Sequence, residues 1–355
     1  MPLPIFKSEE LRDICTRVLE AVGAPSDEAK IVSDLMVEAN LCGVDSHGVV
    51  RLVPYVKSIQ KGHIKPGVKV EVVRETLGTA LLNGNWGFGQ VIGTRAMEIA
   101  IHKAENNGIG SVTVFNCNHV GRLTDYSMMA VRHDMIGFTT LNCAPSTSVA
   151  PFGGTSGVIG TNPICFAIPA NQENPIVLDM TTSTVAHGRI KIAFLRHERI
   201  PEGWIIDSEG RPTTDPGKIF GSAKGAILPL GGIVGYKGFG LALVAEVLAG
   251  ALSGSVRSEE LSKRYKEGSI PNGLFLITIN ISSFLDIDEF KNRIDELIRH
   301  VKNTARVKGN DNIIVPGEPE YRERLMRIRN GVLIEDETWE AIKKVHRELG
   351  LKLEK

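Results

Sequence analysis

The chain has 355 residues, of which 42% are hydrophobic, and this length allows a large core and two domains. Its 41 basic residues balance 41 acidic residues, so the overall charge attracts neither nucleic acid nor an anionic membrane. The sequence has no apolar run of about 18 residues and no signal-like apolar segment near its start. We therefore expect a soluble, cytoplasmic protein without a nucleic-acid or membrane partner.

The apolar periodicity divides the chain into a helical, a strand-rich and a second helical zone. Over residues 1–72 it predicts helices at 8–22, 26–41 and 48–59, with Pro54 in the first turns of the third helix or kinking it. Over 73–285 it predicts strands at 109–115, 136–141, 164–168 and 176–178, and helices at 91–106 and 236–252. Over the remainder it predicts helices at 286–303, 320–330 and 336–350. Helices at both ends of a strand-rich centre predict that the termini pack together as one domain.

The five cysteines are odd in number, far apart and without a Cys-x-x-Cys pair. Such a pattern is typical of reduced core residues rather than of a disulfide framework or a metal cluster. They are Cys15, Cys42, Cys117, Cys143 and Cys165. We expect all five to be free thiols.

The glycine-rich stretches do not match the Rossmann fingerprint, which needs G-x-G-x-x-G between a strand and a helix. The chain has Gly84-Asn-Trp-Gly87-Phe-Gly89 and Gly235-Tyr-Lys-Gly238-Phe-Gly240, and both have the reversed spacing. These glycines either form tight turns between strands or let the backbone approach a ligand closely. An ordinary Rossmann domain is therefore not expected.

The run from Asp45 to Arg51, Asp-Ser-His-Gly-Val-Val-Arg, places polar side chains just after a predicted helix. His47 can exchange a proton near neutral pH, and Arg51 shares its face if the chain is helical there. A guanidinium holds a carboxylate through two hydrogen bonds. The run is thus a candidate site for a small carboxylic acid; the alternative is a polar turn in which Ser46 acts as a helix cap.

Three further polar groups lie at the ends of predicted strands. His119 follows the strand at 109–115, Thr161 precedes the strand at 164–168, and Asp179 follows the strand at 176–178. Taken singly, each group is also explained by an ordinary turn.

Two other kinds of site are less well supported by the spacing. A zinc site of His47, His119 and His187 lacks any His-x₃-His or His-Glu pairing. A hydrolase triad of Ser46, His47 and Asp179 lacks the G-x-S-x-G elbow. The sequence therefore predicts no metal site and favours acid/base chemistry.

Seven motifs that include these residues follow one another along nearly the whole chain. In them the chain resembles the malate/L-lactate dehydrogenase family that is unrelated to the Rossmann-type enzymes. The motifs are Asp45-Ser46-His47-Gly48 with Arg51, Asn118-His119-Val120-Gly121, Gly160-Thr161-Asn162-Pro163, Leu178-Asp179-Met180-Thr181-Thr182-Ser183, Pro201-Glu202-Gly203-Trp204 with Pro212-Thr213-Thr214-Asp215-Pro216, Gly235-Tyr236-Lys237-Gly238 and Pro316-Gly317-Glu318.

The resemblance implies an α+β fold with two domains. Residues 1–72 and 306–355 would form a helical domain built from both termini. Residues 73–305 would form a central, mostly antiparallel-sheet domain that binds NAD or NADP and is not a Rossmann domain. The resemblance also implies a homodimer whose active sites lie near the subunit interface.

The resemblance further assigns roles to individual residues. His47, oriented by Ser46 or a carboxylate, would move the proton on the substrate oxygen, and His119 is a rival candidate for this task. Arg51 would hold the substrate carboxylate or polarise the reacting oxygen. The other substrate contacts implied are Thr161, His187 and Gly188. The implied cofactor contacts are His119, Val120, Gly121, Arg122, Leu123, Asp179, Met180, Thr181, Lys237, Pro316, Gly317 and Glu318.

The substrate implied is a 2-hydroxy or 2-oxo acid, with malate and oxaloacetate as the first choice. Lactate, sulfolactate or ureidoglycolate dehydrogenase and a cyclic imine-carboxylate reductase are the alternatives within the family. The imine-reducing members are expected to have an aspartate after Ala-His-Gly, where this chain has Arg189, a cation that suits an anionic acid. Outside the family, the alternatives are a zinc-dependent hydrolase and a non-catalytic dinucleotide-binding protein. The spacing does not distinguish NAD from NADP.

Overall fold

A seven-stranded sheet is the central element of the fold. The computed structural model describes residues 4–143, 147–220, 224–260, 271–309 and 311–351. The strands are β1 Ile5–Phe6, β2 Glu71–Glu75, β3 Thr79–Asn83, β4 Ile109–Cys117, β5 Met135–Asn142, β6 Ile164–Ile168, β7 Ile176–Met180, β8 Ile205–Ile206, β9 Pro212–Thr213, β10 Ala226–Ile227, β11 Asn272–Asn280 and β12 Val332–Leu333.

The α-helices are α1 Ser8–Ala21, α2 Ser26–Leu41, α3 Leu52–Gln60, α4 Gly89–Asn107, α5 Thr124–Val131, α6 His187–Leu195, α7 Gly217–Phe220, α8 Tyr236–Ala245, α9 Ile287–Lys302, α10 Glu318–Asn330 and α11 Asp336–Glu348. Two 3₁₀ turns, Asp45–His47 and Val49–Arg51, precede α3. A π-helical turn, Glu246–Ala251, continues α8.

The described strands of the large sheet have the order β2-β3-β4-β11-β5-β6-β7. Five of their six pairings are antiparallel, and only β3 and β4 run parallel. The middle strand β11 pairs with both β4 and β5, and its buried apolar sequence suits a strand enclosed on both faces. The sheet is therefore mixed and mostly antiparallel, not doubly wound and parallel, which agrees with the α+β class expected from the resemblance.

Helices cover both faces of the sheet at close range. On one face α4 packs so tightly on β4 that a Cβ at Gly110 would overlap the carbonyl oxygen of Ala100. On β11, Leu274 and Leu276 belong to the core under α4, whereas Gly273 lies directly beneath Ala249 of the π-helical turn. Because successive side chains point to opposite faces of a sheet, the π-helical turn covers the face opposite to α4.

The two ends of the chain meet in a second core. Strand β1 pairs with β12, and the rings of Phe6 and Trp339 are 4.5 Å apart. Buried residues of α1, α2 and α3 share one cluster with Val332 and Ile342. The two ends of the chain therefore pack against each other, and the prediction that they form one domain stays a prediction. The domain boundaries at 72/73 and 305/306 stay a prediction.

Most predicted elements are present, including the helix at 26–41 with both of its ends and the strand at 164–168. Two expectations need correction. The helix predicted at 48–59 begins only at Leu52, because Gly48 is extended and separates two 3₁₀ turns. The strand predicted to end at Leu178 continues to Met180, so Asp179 lies within β7 and not in the turn after it. No helix among the described residues is long and apolar enough to span a membrane.

The core against α4 gives a direct test of the fold. Leu82 of β3 is completely buried, whereas Leu77, just before the same strand, is 82% exposed. Leu82→Ala is expected to lower the free energy of unfolding by about 2–5 kcal/mol, because it removes buried methyl groups and leaves a cavity. The same change at Leu77 should alter it by less than about 0.5 kcal/mol. Denaturant unfolding of both variants measures the difference, and equal effects would contradict this packing.

Candidate active site

The turn that contains His47 is held by a single buried amide. Gly48 has no side chain, and a Cβ there would overlap the side-chain amide of Asn40. The Asn40 Oδ1 accepts a hydrogen bond from the Val49 N–H at 2.8 Å, and its Nδ2 donates to Asp45 Oδ1 at 2.6 Å. Asn40, at the end of α2, thus ties both 3₁₀ turns to that helix, and glycine at position 48 gives it the space.

A residue from the other end of the chain reinforces this turn. Arg327 of α10 donates to both carboxylate oxygens of Asp45, at 2.7 and 3.1 Å, and to the Asn40 carbonyl oxygen at 2.8 Å. Sequence reasoning missed Asn40 and Arg327. No local pattern connects Arg327 with Asp45, since 282 positions separate them.

The structure brings His47 and His119 together. Their rings are stacked with centroids 5.4 Å apart and planes at 21°. His119 lies in the loop between β4 and α5, where the buried Asn118 side chain donates to the carbonyl oxygens of His63, Trp86 and Gly87. A Cβ at Gly89 would overlap the His119 carbonyl oxygen, so α4 begins directly against this loop. The two histidines predicted as rivals therefore share one site.

Each histidine has a hydroxyl partner at Nδ1. Ser46 Oγ lies 3.0 Å from His47 Nδ1, and the Tyr55 hydroxyl lies 2.7 Å from His119 Nδ1. Gln90 in turn donates to the Tyr55 oxygen at 2.8 Å. Tyr55 and Gln90 are buried, and sequence reasoning missed both of them because each reads as an ordinary helix residue.

Arg51 lies beside this pair with a fixed stem. Its Nε donates to the Ser46 carbonyl oxygen at 2.8 Å. Among the described residues, neither terminal guanidinium nitrogen has a hydrogen-bond or ion-pair partner. The two terminal N–H groups that suit a carboxylate are therefore available next to the histidines.

The other predicted substrate residues divide into two groups. Gly188 at the start of α6 faces Ser46, because a Cβ there would lie 3.7 Å from the Ser46 Cβ. His187, the residue before Gly188, packs edge-on against Phe220, and the centres of the two rings are 5.5 Å apart. Thr161 instead forms backbone and side-chain contacts with Thr182 and Cys143. Within the described part of the chain, no hydrogen bond joins Thr161 to the histidine pair.

Three of the predicted cofactor segments adjoin one another. Asp179 Oδ2 accepts from the backbone N–H and the hydroxyl of Thr124, at 2.9 and 2.8 Å, directly after Leu123. The Val177 N–H donates to the Pro316 carbonyl oxygen at 3.0 Å, and Gly317 packs on Val177. Strand β7 thus joins the loop after β4 to the loop before α10.

Some side chains in these segments already have protein partners. Arg122 and Asp125 form a buried ion pair, and Glu318 pairs with Lys302. Lys237 is exposed, with its Nζ 6.0 Å from the ring centre of Tyr236. No hydrogen bond or ion pair among the described residues connects Lys237 with the segments around β7.

The electrostatic environment keeps both imidazoles neutral. Burial, then the Arg51 guanidinium and then Arg122 lower the pKa of His47 to about 4. Burial, Arg51 and His47 lower the pKa of His119 well below its ordinary value. Within the described ranges no group of three His, Cys, Asp or Glu side chains is placed to hold a metal ion. Two surface cavities of about 300 and 240 Å³ lie elsewhere and are not lined by these histidines.

Comparison with known proteins identifies the family. The family described as malate/L-lactate dehydrogenase matches residues 6–343. The chain belongs to the malate/L-lactate dehydrogenase family. An L-sulfolactate dehydrogenase of Methanocaldococcus jannaschii is 39% identical over 350 residues, covering 99% of this chain and 98% of that protein. A malate dehydrogenase of Pyrococcus abyssi is 38% identical over 348 residues, which cover 97% of this chain and 94% of that protein.

A solved structure supports the same assignment. The crystal structure of malate dehydrogenase from Entamoeba histolytica has a TM-score of 0.94 to this chain at 31% identity, and 99% of each chain is covered. The resemblance inferred from the seven motifs is confirmed. As a member of the malate/L-lactate dehydrogenase family, the protein is an enzyme and an oxidoreductase of the hydroxy acid dehydrogenase class.

The low pKa of His47 predicts how this family member titrates. Between pH 5 and 8 the His47 ring should remain neutral in the folded enzyme, because its pKa is about 4, whereas an unperturbed histidine titrates near 6.5. Arg51→Gln should raise this pKa, since it removes a neighbouring positive charge. Arg74→Gln, on the exposed strand β2, should leave it unchanged. NMR titration of the His47 ring measures this, and a midpoint near pH 6.5 in the wild type would contradict the described environment.

Proposed function

We propose that the enzyme transfers a hydride between the nicotinamide of NAD or NADP and C2 of a 2-hydroxy or 2-oxo acid, with malate and oxaloacetate as the physiological pair. The observation that carries this proposal is the stacked pair of His47 and His119 beside the free guanidinium end of Arg51. A proton-transfer group next to a carboxylate anchor is what the reaction requires. The names of the malate and sulfolactate relatives support an anionic hydroxy acid.

Each residue of the site has a separate task in this proposal. Arg51 binds the C1 carboxylate with its two terminal nitrogens, while its Nε remains on the Ser46 carbonyl. His47 gives a proton to the substrate oxygen during reduction and takes it back during oxidation, with Ser46 orienting the ring. His187 and Gly188 close the site at the start of α6, and Arg189 adds positive charge nearby. Thr161 is retained as a substrate contact on the resemblance alone.

The segments around β7 fit a nicotinamide dinucleotide. Asp179 is exposed and uses only Oδ2 for Thr124, so Oδ1 has no partner in the described part of the chain and can accept a ribose hydroxyl. Residues 119–123, 179–181 and 316–318 would hold the dinucleotide, and Lys237 would lie near a phosphate or ribose. When bound, the nicotinamide supplies or accepts the hydride. Both NAD and NADP remain candidates.

We also propose that the enzyme acts as a homodimer in the cytoplasm. Apolar side chains of α8 and the π-helical turn, among them Leu241, Val244 and Val247, are 40–55% exposed. Exposed apolar patches of this kind mark interfaces, which agrees with the dimer implied by the family resemblance. The five cysteines are free thiols, as a reducing compartment requires. The molar mass in solution tests the dimer.

A substrate panel tests the reaction and the proton carrier. Purified enzyme is offered oxaloacetate, pyruvate, sulfopyruvate and a cyclic imine carboxylate with NADH or NADPH, and nicotinamide absorbance is followed. We expect the highest kcat/KM with oxaloacetate. His47→Asn should lower turnover by roughly 10²-fold or more, the usual scale for an acid/base group, with dinucleotide affinity unchanged. No oxidation of either cofactor would refute the reaction, and an active His47→Asn enzyme would assign the proton to His119.

The carboxylate anchor has its own test. Arg51→Lys keeps the positive charge but loses the two-point geometry, so kcat/KM for oxaloacetate should fall on the order of 10²-fold through misorientation. Arg189→Lys, next to the site but exposed, serves as the matched control and should have little effect. A neutral ester of oxaloacetate should be a poor substrate for the wild type. If the ester and the acid react equally well, Arg51 is not the anchor.

A further inference from the structure

Tyr55 and Gln90 form a buried hydrogen-bonded chain that ends at His119. The Gln90 amide N–H donates to the Tyr55 oxygen at 2.8 Å, so the single hydrogen of the hydroxyl is left for His119 Nδ1 at 2.7 Å. The Gly121 backbone N–H is directed at the same nitrogen from 3.4 Å. A backbone N–H can only donate, and with the Gln90 amide in this orientation Tyr55 also donates, over the shorter distance. Both groups then direct a hydrogen at Nδ1, which must carry the lone pair.

His47 has a different kind of partner. The Ser46 hydroxyl, 3.0 Å from His47 Nδ1, is half-buried and can either donate or accept by rotating. It therefore accommodates the neutral ring and the imidazolium equally. With the Gln90 amide in this orientation Tyr55 has no such freedom, because its oxygen accepts from Gln90 and its hydrogen has no other acceptor among the described residues.

We propose that Tyr55 and Gln90 are positioning residues that fix His119 as the neutral tautomer with its hydrogen on Nε2. His119 then donates a hydrogen bond to the reacting oxygen, and His47 alone carries the proton. This inference rests on the proposed function, and it assigns distinct roles to the two histidines that the sequence left as rivals.

Protonation of His119 is opposed from every side that packs on it. An added hydrogen at Nδ1 would face the Tyr55 hydroxyl and the Gly121 N–H, both of which point donors at it. The charged and titratable groups facing the ring are Arg51 and His47, and no carboxylate bonds to either ring among the described residues. Ionisation of the Tyr55 phenol would not make protonation of His119 easier, because burial raises the pKa of Tyr55 to about 12 and the phenol keeps its hydrogen.

One unpaired atom shows how the chain of hydrogen bonds could be reversed. Gln90 Oε1 is buried and without a partner among the described residues. Turning the amide over would place this oxygen on Tyr55 and let His119 Nδ1 donate. The Gly121 N–H would then face another N–H, which disfavours the reversed arrangement.

Nitrogen NMR of the ring in the resting enzyme tests the tautomer directly. In wild-type protein, His119 should show an unprotonated Nδ1 and a protonated Nε2, unchanged between pH 5 and 9. Tyr55→Phe keeps the packed ring but removes the donor, so the two nitrogen signals should move toward the average of both tautomers. Gln90→Met, of similar size, should do the same. A wild-type Nδ1–H, or a tautomer unaffected by Tyr55→Phe, would overturn the proposal.

Kinetics separates this inference from the proposed reaction. A hydrogen bond formed to the reacting oxygen acts in the transition state, so Tyr55→Phe should lower kcat and kcat/KM together, by roughly 10-fold, with KM unchanged. Thr94→Ala, which removes an α4 hydroxyl bonded only to the Gln90 carbonyl, is the control and should leave both the tautomer and kcat unchanged. An altered tautomer with unchanged kcat would refute the catalytic role. If no substrate of the panel reacts while the His119 tautomer is the expected one, the proposed reaction is refuted. The hydrogen-bonded chain from Gln90 to His119 is not refuted by that result.

Discussion

The stacked contact of His47 with His119 is the interaction on which the rest of the candidate site depends. On each side of it a backbone segment approaches its neighbour more closely than a Cβ allows, at Gly48 against Asn40 and at Gly89 against the His119 carbonyl. The first contact lies among the N-terminal helices, and the second lies between the start of α4 and the loop after β4. The two histidines are therefore contributed by two different parts of the fold, and their separation is set by packing rather than by chain connectivity.

The charge state of the two histidines follows from the same packing. Two imidazoles enclosed beside Arg51 are held neutral, because a further positive charge there would be both desolvated and repelled. A bound carboxylate would offset the Arg51 charge and make proton uptake by His47 easier. In the proposed reaction, substrate binding and protonation of the general acid are thereby coupled, and the enzyme has little tendency to hold the proton without its substrate.

The glycine-rich stretches of this chain have a structural use that differs from the glycines of a Rossmann fingerprint. Gly84 and Gly89 pack against the backbone of residues 116–119, and Gly238 packs against Leu230. These close contacts support the reading of the glycines as structural turns. The segments that we propose for the cofactor lie instead along β7, where Asp179 bonds to Thr124 and Val177 bonds to the loop before α10.

The sequence by itself determined the family, most of the described α-helices, four of the twelve described strands, and the residue types of the candidate site. Periodicity identified α2 and β6 with their ends, because apolar spacing reports which face of an element is buried. The apolar periodicity placed the start of the third helix too early. The break at Gly48 depends on the contact of Gly48 with Asn40, which the sequence does not record. Local patterns also left His47 and His119 as rivals.

Only the tertiary structure decided that these histidines stack and that Arg327 bonds to Asp45 across 282 positions. It also decided that Tyr55 and Gln90 form a hydrogen-bonded chain to His119. Contacts of this kind join residues that are distant in the chain, and a single sequence records each residue but not which others it meets.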